Sequence, residues 1–215
     1  MKRIALFFFI LSLSFHAIGQ KTDFFSVELN TSYYRYILRN TYSQDFNYGF
    51  SLAVNRHVNR AVIGIGINFS TKSFWNDGDT FFIIEKYDYS INYLNLPFVL
   101  KYKLNSNNLL RLYLVGGLEL NKIIDYNLTI YYMDGGVSSK KITDYNDKIG
   151  LSIFTGVNVS IPVYRNFNLN VSPIIQYMLV PGYGSQRPNY ESLPEDRFLF
   201  SLSIGIEYLF HRNIQ

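Results

Sequence analysis

Apolar and polar residues alternate with a period of two along most of this chain. The clearest example is residues 93–104, YLNLPFVLKYKL, whose even positions are all apolar while the odd positions carry Asn95, Pro97, Lys101 and Lys103. Side chains of a β-strand point to opposite faces in turn, so this stretch predicts a strand with one apolar and one mostly polar face.

The same alternation returns in eight segments, and each is near or above the length that a tilted membrane strand needs, about 9–11 residues. In most of them Leu, Ile, Val, Phe and Tyr occupy one face of the strand, and Gly, Ser and Asn occupy the other. The segments are residues 24–37, 46–55, 61–69, 93–104, 109–121, 149–163, 167–178 and 197–210.

The connections between these segments alternate in length. Residues 39–45, 71–87, 126–148 and 179–196 form long connections, and residues 56–60, 105–108 and 162–166 form short ones. Long outside loops and tight periplasmic turns are typical of outer-membrane barrels. We therefore predict an all-β fold, an eight-stranded antiparallel up-and-down transmembrane β-barrel, with both chain termini in the periplasm.

The chemistry of the polar face indicates which face meets lipid. A soluble sandwich or lipocalin-like barrel would also alternate, but its polar face would be exposed to water. Here that face is mostly Gly, Ser and Asn, which suits a crowded barrel interior, and most charges within the segments share its parity. Arg35 and Lys122 break the parity, but both lie near the outer ends of their segments, where they can snorkel.

The first residues, MKRIALFFFILSLSFHAIGQ, have a basic start, an apolar run and a small-residue pair, Ala17 and Gly19. This pattern predicts a secretory signal peptide over residues 1–19 and a barrel domain over residues 20–215. An N-terminal membrane anchor is the alternative, but the apolar run is short for a spanning helix. The predicted location is the bacterial outer membrane, with its lipid bilayer as the first partner.

Composition narrows the remaining classes. Aromatic residues make up 18% of the chain, mainly Tyr and Phe, which suits a surface that faces both lipid and water. The chain has no cysteine, so it has no disulfide or thiolate metal site. Its formal charge of +4 is dispersed, and we expect no nucleic-acid partner.

Three stretches resemble the PorT-like outer-membrane β-barrel family of Bacteroidetes-type bacteria: YLNLPFVLKYKL, residues 113–120 and the closing strand FLFSLSIGIEYLF. The family's central-strand motif falls on Tyr93, Leu94, Leu96, Pro97, Lys101 and Tyr102. The resemblance implies a barrel without a catalytic signature and, because PorT is associated with secretion across the outer membrane, a role accessory to secretion. Here residues 211–215 follow Phe210, whereas such barrels commonly end on an aromatic residue.

Candidate chemistry is sparse. Of three histidines, His16 lies in the leader, His57 in a predicted periplasmic turn and His211 in the tail. A lipid-modifying enzyme would need its nucleophile and base at the outer rim, so we expect no enzyme, metal or cofactor. Gly64 and Gly66 lack a following helix and fit barrel packing better than a phosphate loop. Residues 76–79, NDGD, fit a turn better than a calcium site.

Charged residues of the polar face predict a salt-bridge network inside the lumen, because unpaired charges there would be costly. The predicted members are Glu28, Lys101, Arg111, Glu119 and Glu207. The long loops carry many tyrosines, which are candidates for contact with a protein or glycan partner or for an aromatic girdle at the lipid headgroups. The candidate contact residues are Tyr87, Tyr131, Tyr132, Tyr183 and Tyr190.

Two functions remain open on these grounds. The first is a structural or interaction role in the outer membrane, accessory to secretion or envelope assembly through an envelope protein partner. The alternative is a narrow channel for small hydrophobic or ionic solutes. One structural detail is also predicted: Pro97 cannot donate to a β-ladder and a closed barrel has no edge strand, so we expect a bulge or local break there.

Overall fold

The structure, a computed structural model, describes residues 24–36, 43–44, 47–77, 83–105, 109–142, 149–180 and 198–210. The predicted leader lies outside these residues, as do Tyr183 and Tyr190. The strands are β1 Phe24–Tyr36, β2 Ser43–Gln44, β3 Asn47–Val58, β4 Ala61–Asp77, β5 Ile84–Lys103, β6 Arg111–Tyr132, β7 Val137–Lys141, β8 Ile149–Tyr164, β9 Phe167–Val180 and β10 Phe198–Phe210. The described residues form no helix that is long and apolar enough to cross a membrane.

Eight of these strands close into one barrel. Each long strand pairs antiparallel with the next long strand along the chain, and β1 closes the ring by pairing with β10 from Phe25↔Phe210 to Tyr36↔Leu199. The two short strands lie off this ring, β2 against β4 and β7 against β6. The predicted eight-stranded up-and-down barrel is confirmed.

The polarity of the barrel is the reverse of a soluble protein. Its inward positions are buried and largely polar, with Ser26, Asn47, Asn55, Asn158 and Ser152 at 0–1% exposure. Its outer surface is lined by exposed Leu, Ile, Val and Phe side chains, such as Leu29 and Phe50 at 60%. Arg35 and Lys122 are exposed, and both lie near the edge of this surface, at the end away from Phe24 and Phe210. The expectation that Gly, Ser and Asn fill the interior is confirmed.

The two ends of the barrel differ. We call the end with the first residue of β1 and the last residue of β10 the turn end; its connections are Asn59–Arg60, residues 104–110 and Arg165–Asn166. Asn59 and Arg165 have positive φ angles of 54° and 42°, the backbone conformation that a two-residue hairpin needs. The opposite end, with the longer connections, is the loop end.

Strands β4, β5 and β6 are longer than the sequence pattern predicted. We expected loops over residues 71–87 and 126–148, but β4 continues to Asp77, β5 begins at Ile84 and β6 continues to Tyr132. At the loop end, the outer parts of these three strands and β7 form a sheet that continues beyond the barrel. We call this sheet the extension. The prediction that Tyr87, Tyr131 and Tyr132 lie in loops is therefore wrong, because all three are strand residues.

A register shift separates the extension from the barrel. Asn92 pairs with Asp125 while Tyr93 pairs with Ile123, so Ile124 is an extra residue on β6. This bulge reverses which face each β6 side chain occupies, and both Ile123 and Tyr126 are buried as a result. A pattern of strict alternation ends at such a point, which explains why the sequence suggested a loop beyond residue 121.

Pro97 interrupts one ladder only. Against β6 the pairing is continuous through Pro97↔Glu119, whereas against β4 it stops at Ile65↔Phe98 and resumes at Asn68↔Asn95 in the same register. The missing N–H therefore faces β4. Pro173 does the same between β9 and β8, where pairing stops at Gly156↔Ile174 and resumes at Val159↔Val171. The prediction of a local break is confirmed, without a bulge.

Candidate functional site

The barrel lumen is the site that the fold builds. Eight-stranded barrels leave room only for side chains, and short polar side chains can fill that room while bonding to one another. Alternation aims one residue in two from each strand at the axis, so residues far apart in sequence meet there. The result is a series of layers along the barrel axis.

The first layer, in the turn-end half, is centred on Glu28. Its Oε2 accepts from Lys101 Nζ at 2.6 Å and from Asn55 Nδ2 at 3.1 Å, and its Oε1 accepts from Asn170 Nδ2 at 2.9 Å. Glu28 and Lys101 are 4% and 8% exposed. A buried ion pair with these additional bonds avoids leaving either charge unsatisfied.

A second carboxylate lies in the same half of the lumen. Glu207 Oε1 accepts from Ser26 Oγ at 2.6 Å and lies 3.1 Å from His57 Nε2, while its Oε2 accepts from Asn168 Nδ2 at 3.1 Å. Lys101 interacts electrostatically with both carboxylates. We call Glu28, Lys101, Glu207, His57 and Ser26, with their three asparagine partners, the ionic layer.

His57 is the member that sequence reasoning missed. We placed it in a periplasmic turn, which is wrong: it lies within β3, 7% exposed and stacked on Phe24 with ring centroids 4.2 Å apart. The signal was present, because His57 continues the inward parity of Asn47, Ser51 and Asn55. Stopping the segment at residue 55 excluded it.

Ser26, His57 and Glu207 have the composition of a catalytic triad but not its geometry. In a triad the carboxylate orients one imidazole nitrogen while the serine faces the other. Here Ser26 Oγ at 2.9 Å and Glu207 Oε1 at 3.1 Å both lie at Nε2, and the serine hydroxyl donates to the carboxylate. The three groups are arranged to hold one another in place.

Glu119 lies apart from the ionic layer, towards the loop end. Its Oε1 accepts from Gln176 Nε2 at 2.7 Å, and Asn68 also bonds to it. Neighbouring pairs continue the layer, with Asn121 donating to Ser152 at 2.6 Å and Asn95 donating to Ser70 at 2.9 Å. A cavity of about 30 Å³ borders Glu119, room for a water molecule or two and far less than an open channel needs.

The fifth predicted residue, Arg111, is near the turn-end mouth of the lumen. It is half-buried, bonds to Tyr113 and lies close to the positive charge of Lys103. The structure thus brings Glu28, Lys101 and Glu207 together, places Glu119 in a separate layer and leaves Arg111 at the mouth.

An apolar cluster fills the inner face of the sheet beyond the Glu119 layer. Phe74, Tyr89, Ile91, Tyr93, Ile123 and Tyr126 are 0–8% exposed, and Phe74 stacks on Tyr89 at 4.8 Å. Tyr93 also borders the cavity. We call these six residues the aromatic lid, because they follow the polar lumen towards the loop end.

The outer part of the extension carries its own polar contacts. Lys141 Nζ lies 2.6 Å from Asp125 Oδ1, and Asn127 Nδ2 donates to Asp125 Oδ2 at 2.7 Å. These bonds from Lys141 and Asn127 lower the pKa of the Asp125 carboxyl. Lys86 lies over the rings of Trp75 and Tyr131, 4.9 and 5.7 Å from their centroids.

Metal and cofactor binding were not expected, and the described residues contain no group of three or more His, Asp or Glu side chains placed to hold a metal ion. The NDGD stretch is only half within them: Asn76 and Asp77 end strand β4.

Comparison with known proteins identifies the fold but no closer relative. The sequence matches no protein-family profile and no curated protein. Among solved structures, a major outer membrane protein from Thermus thermophilus matches with a TM-score of 0.55 at 13% identity, over 88% of this chain and 100% of that one. Neisserial surface protein A gives a TM-score of 0.46 at 14% identity, over 86% and 97%. The attachment invasion locus protein Ail of Yersinia pestis gives 0.39 at 16% identity, over 87% and 97%. This chain therefore has the barrel fold known from outer-membrane proteins.

Proposed function

We propose that this chain is an integral protein of the bacterial outer membrane whose barrel is a closed, non-catalytic scaffold. The observation that carries the proposal is the reversed polarity: exposed Leu, Ile, Val and Phe cover the outside while hydrogen-bonded Ser, Asn and Glu fill the inside. In water such an outer surface would aggregate, whereas in lipid it is the stable arrangement. The turn end, where β1 begins and β10 ends, faces the periplasm, and residues 1–19 are the leader that directs export.

The contents of the lumen support a closed scaffold over a solute channel. The ionic layer joins side chains from β1, β3, β5, β9 and β10 across the axis. The cavity next to Glu119 holds only about 30 Å³. Ser26 and Glu207 both contact the same nitrogen of His57, Nε2, which argues against a hydrolytic Ser–His–Glu site. The remaining role for the molecule is to present a surface.

The extension is the surface that we assign to partner contact. Tyr131 and Tyr132 lie at its upper end, partly exposed, and Tyr87 lies beside the aromatic lid. Tyrosines on a rigid strand offer contact area at low entropic cost. The resemblance of YLNLPFVLKYKL to PorT-like barrels favours a protein partner in secretion or envelope assembly.

Membrane fractionation combined with electrophoresis of boiled and unboiled samples tests the central proposal. A closed barrel keeps its fold in dodecyl sulfate at room temperature, so unboiled protein is expected in the outer-membrane fraction with a mobility different from that of boiled protein. Recovery in the soluble periplasm, with the same mobility before and after boiling, would overturn the proposal.

Crosslinking tests the partner surface. A photoreactive side chain at Tyr131 is expected to capture an envelope protein in intact cells, whereas one at Leu29, on the apolar outer wall, serves as the matched control and is expected to label lipid. Equal protein capture at both positions would remove the case for the extension as a contact surface.

A further inference from the structure

The turn end carries a group of basic residues that the barrel itself does not neutralise. Arg60 lies in the exposed β3–β4 turn, Lys103 ends β5 and Arg111 begins β6. The backbone N–H of Lys103 donates to the Arg60 carbonyl oxygen at 2.7 Å, and Lys103 pairs with Tyr113, two residues from Arg111. The charges of Arg111 and Arg60 repel that of Lys103. We call these three residues the basic cluster. Three like charges this close repel one another, and an anion placed among them would relieve that repulsion.

Acidic residues at the same end are engaged elsewhere. Within the described part of the chain, the acids of the turn-end half are Glu28 and Glu207, both buried and bonded within the ionic layer. The exposed or half-exposed acids of that part, Asp77, Glu85, Asp88, Asp125 and Asp134, all belong to the extension. Among the described residues, the exposed charges of the turn end are therefore basic, while those of the loop end have both signs.

Aromatic side chains mark the depth of this cluster relative to lipid. On the outer face of the turn end Phe25, Tyr102, Tyr164, Phe167, Tyr208 and Phe210 are 37–59% exposed. Tyr208 contacts both Phe167 and Phe210, each with ring centroids 4.9 Å apart. Exposed aromatic rings at a barrel rim lie at the level of the lipid headgroups.

Arg165 is a basic residue of the turn end that lies beside one of these exposed aromatic rings. It is exposed at the β8–β9 turn, and its guanidinium lies 5.2 Å from the centroid of the Tyr164 ring. If the ring lies at the headgroups, the guanidinium reaches the phosphate plane. Guanidinium groups bind phosphate through paired hydrogen bonds, and an ammonium adds a point charge.

We infer that the turn end binds the phosphate headgroups of anionic glycerophospholipids through the exposed Arg60 and Arg165, while Lys103 and Arg111 add positive charge at the adjoining mouth of the lumen. The inference rests on the proposed membrane location and adds a lipid specificity to it. Lipid is favoured over an acidic protein segment because the Arg165 guanidinium lies beside the exposed Tyr164 ring, at the depth expected of lipid headgroups. The consequence is a fixed depth for the turn end in its leaflet.

Lipid retention by the full mature barrel tests this inference. The protein is reconstituted in nanodiscs of equimolar phosphatidylglycerol and phosphatidylcholine with identical acyl chains, extracted in mild detergent, and analysed for bound lipid by native mass spectrometry. Phosphatidylglycerol is expected to be retained preferentially, and the preference is expected to fall when sodium chloride is raised from about 0.05 M to about 0.5 M.

Two variants assign the effect to the cations. The triple substitution Arg60→Gln, Lys103→Gln and Arg111→Gln is expected to reduce the preference by about fivefold for each cation removed, from ~1 kcal/mol per basic residue near an anionic surface. Because Arg111 contacts Tyr113 in the lumen, the double variant Arg60→Gln, Arg165→Gln changes only exposed side chains and is expected to lower the preference while the boiled-to-unboiled mobility shift stays.

The matched control removes three lysines of the extension, Lys86→Gln, Lys140→Gln and Lys141→Gln, and is expected to keep the preference. Equal retention of the two lipids by the unmodified barrel would overturn the inference, and so would an equal loss in the control. In either case an unchanged mobility shift on boiling would leave the proposed membrane barrel standing, so the two failures are distinguishable.

Discussion

At the scale of single residues, Lys101 is the group on which the interior depends most. It is the cation that bonds directly to Glu28 and that also acts on Glu207. Both carboxylates are 4% exposed. Removing a buried cation leaves its partner charged in a place from which water is excluded, which costs more than the ion pair itself contributes.

We therefore expect Lys101→Met to lower the free energy of unfolding by about 3–5 kcal/mol. The measurement is equilibrium unfolding in urea with the barrel in lipid vesicles. Lys103→Met, two residues along the same strand and outside the ionic layer, is the control and should cost much less. The double variant Glu28→Gln, Lys101→Met should recover part of the loss; equal losses for Lys101→Met and Lys103→Met would contradict the role of Lys101.

Adjacent glycines in β6 provide a second comparison at this scale. A Cβ on Gly117 would collide with the Phe98 carbonyl oxygen and lie 2.5 Å from the Phe154 ring, whereas on Gly116 the nearest contact would be the Phe154 carbonyl oxygen at 3.6 Å. Gly117 points into the lumen and Gly116 points outward. A glycine is needed where the neighbouring backbone approaches closely.

Gly117→Ala is expected to destabilise the barrel by about 1–3 kcal/mol because the backbone must shift. Gly116→Ala should be close to neutral, since its methyl group would meet lipid. Thermal unfolding monitored by the mobility shift on boiling measures both. A Gly116→Ala variant that is as unstable as Gly117→Ala would show that the inward and outward assignments of β6 are wrong.

At the scale of elements, the extension is a sheet whose edge strand β7 is exposed along its whole length. It pairs with β6 from Asn127↔Lys141 to Tyr131↔Val137. The Asp125–Lys141 contact fastens the end of β7 nearest the barrel. Five exposed residues bury little apolar surface, so polar contacts hold β7 to β6: the ladder, this ion pair and the Thr129–Ser139 hydrogen bond. Just after β7, Ile142 packs against the aromatic lid.

The lowered pKa of Asp125 gives β7 a pH dependence. A carboxyl whose pKa is lower in the folded state stabilises that state above its unfolded pKa, and the contribution is lost as pH falls through the folded value. We expect the protection of the Val137–Lys141 amides, measured against their intrinsic exchange rates, to fall in acid, below about pH 4. Lys141→Gln should make exchange fast at neutral pH already. Exchange that ignores both acid and this substitution would contradict the assigned contact.

At the scale of the whole molecule, the ionic layer, the Glu119 layer and the aromatic lid succeed one another along one axis. Each of these groups is built from side chains of several strands. The lumen can therefore fill only when the strands close into a ring. The outer wall contributes to stability only when it faces lipid, and the interior contributes through the hydrogen bonds and the ion pair that join its polar side chains. This division explains why a chain with so many buried asparagines still has an apolar surface.

The filled lumen predicts a non-conducting barrel. In planar bilayers the unmodified protein is expected to give no steady current above that of a protein-free membrane. Replacing Glu28, Lys101 and Glu207 together by Ala empties only the ionic layer, so this variant, if it still shifts in mobility on boiling, should also stay closed because the Glu119 layer still fills the lumen. Large steady currents from the unmodified protein would sink the closed-scaffold proposal and favour the narrow channel.

Local chemistry in the sequence determined the barrel. Period-two alternation shows which face of each strand meets lipid. Gly, Ser and Asn at the other positions indicate a crowded interior. The number, direction and polarity of the barrel strands therefore follow from residues that are close together in the chain. The break at Pro97 follows too, because the lack of an N–H belongs to that residue alone.

Tertiary structure decided which side chains meet. Glu28 and Glu119 lie on the same polar face, yet one found Lys101 and the other Gln176, because register and barrel closure set the partners across the lumen. His57 belongs to the ionic layer because β3 continues to Val58, and Tyr131 and Tyr132 are strand residues because β6 continues beyond the bulge at Ile124. These outcomes depend on contacts between strands distant in sequence, which an alternation pattern read along one strand does not contain.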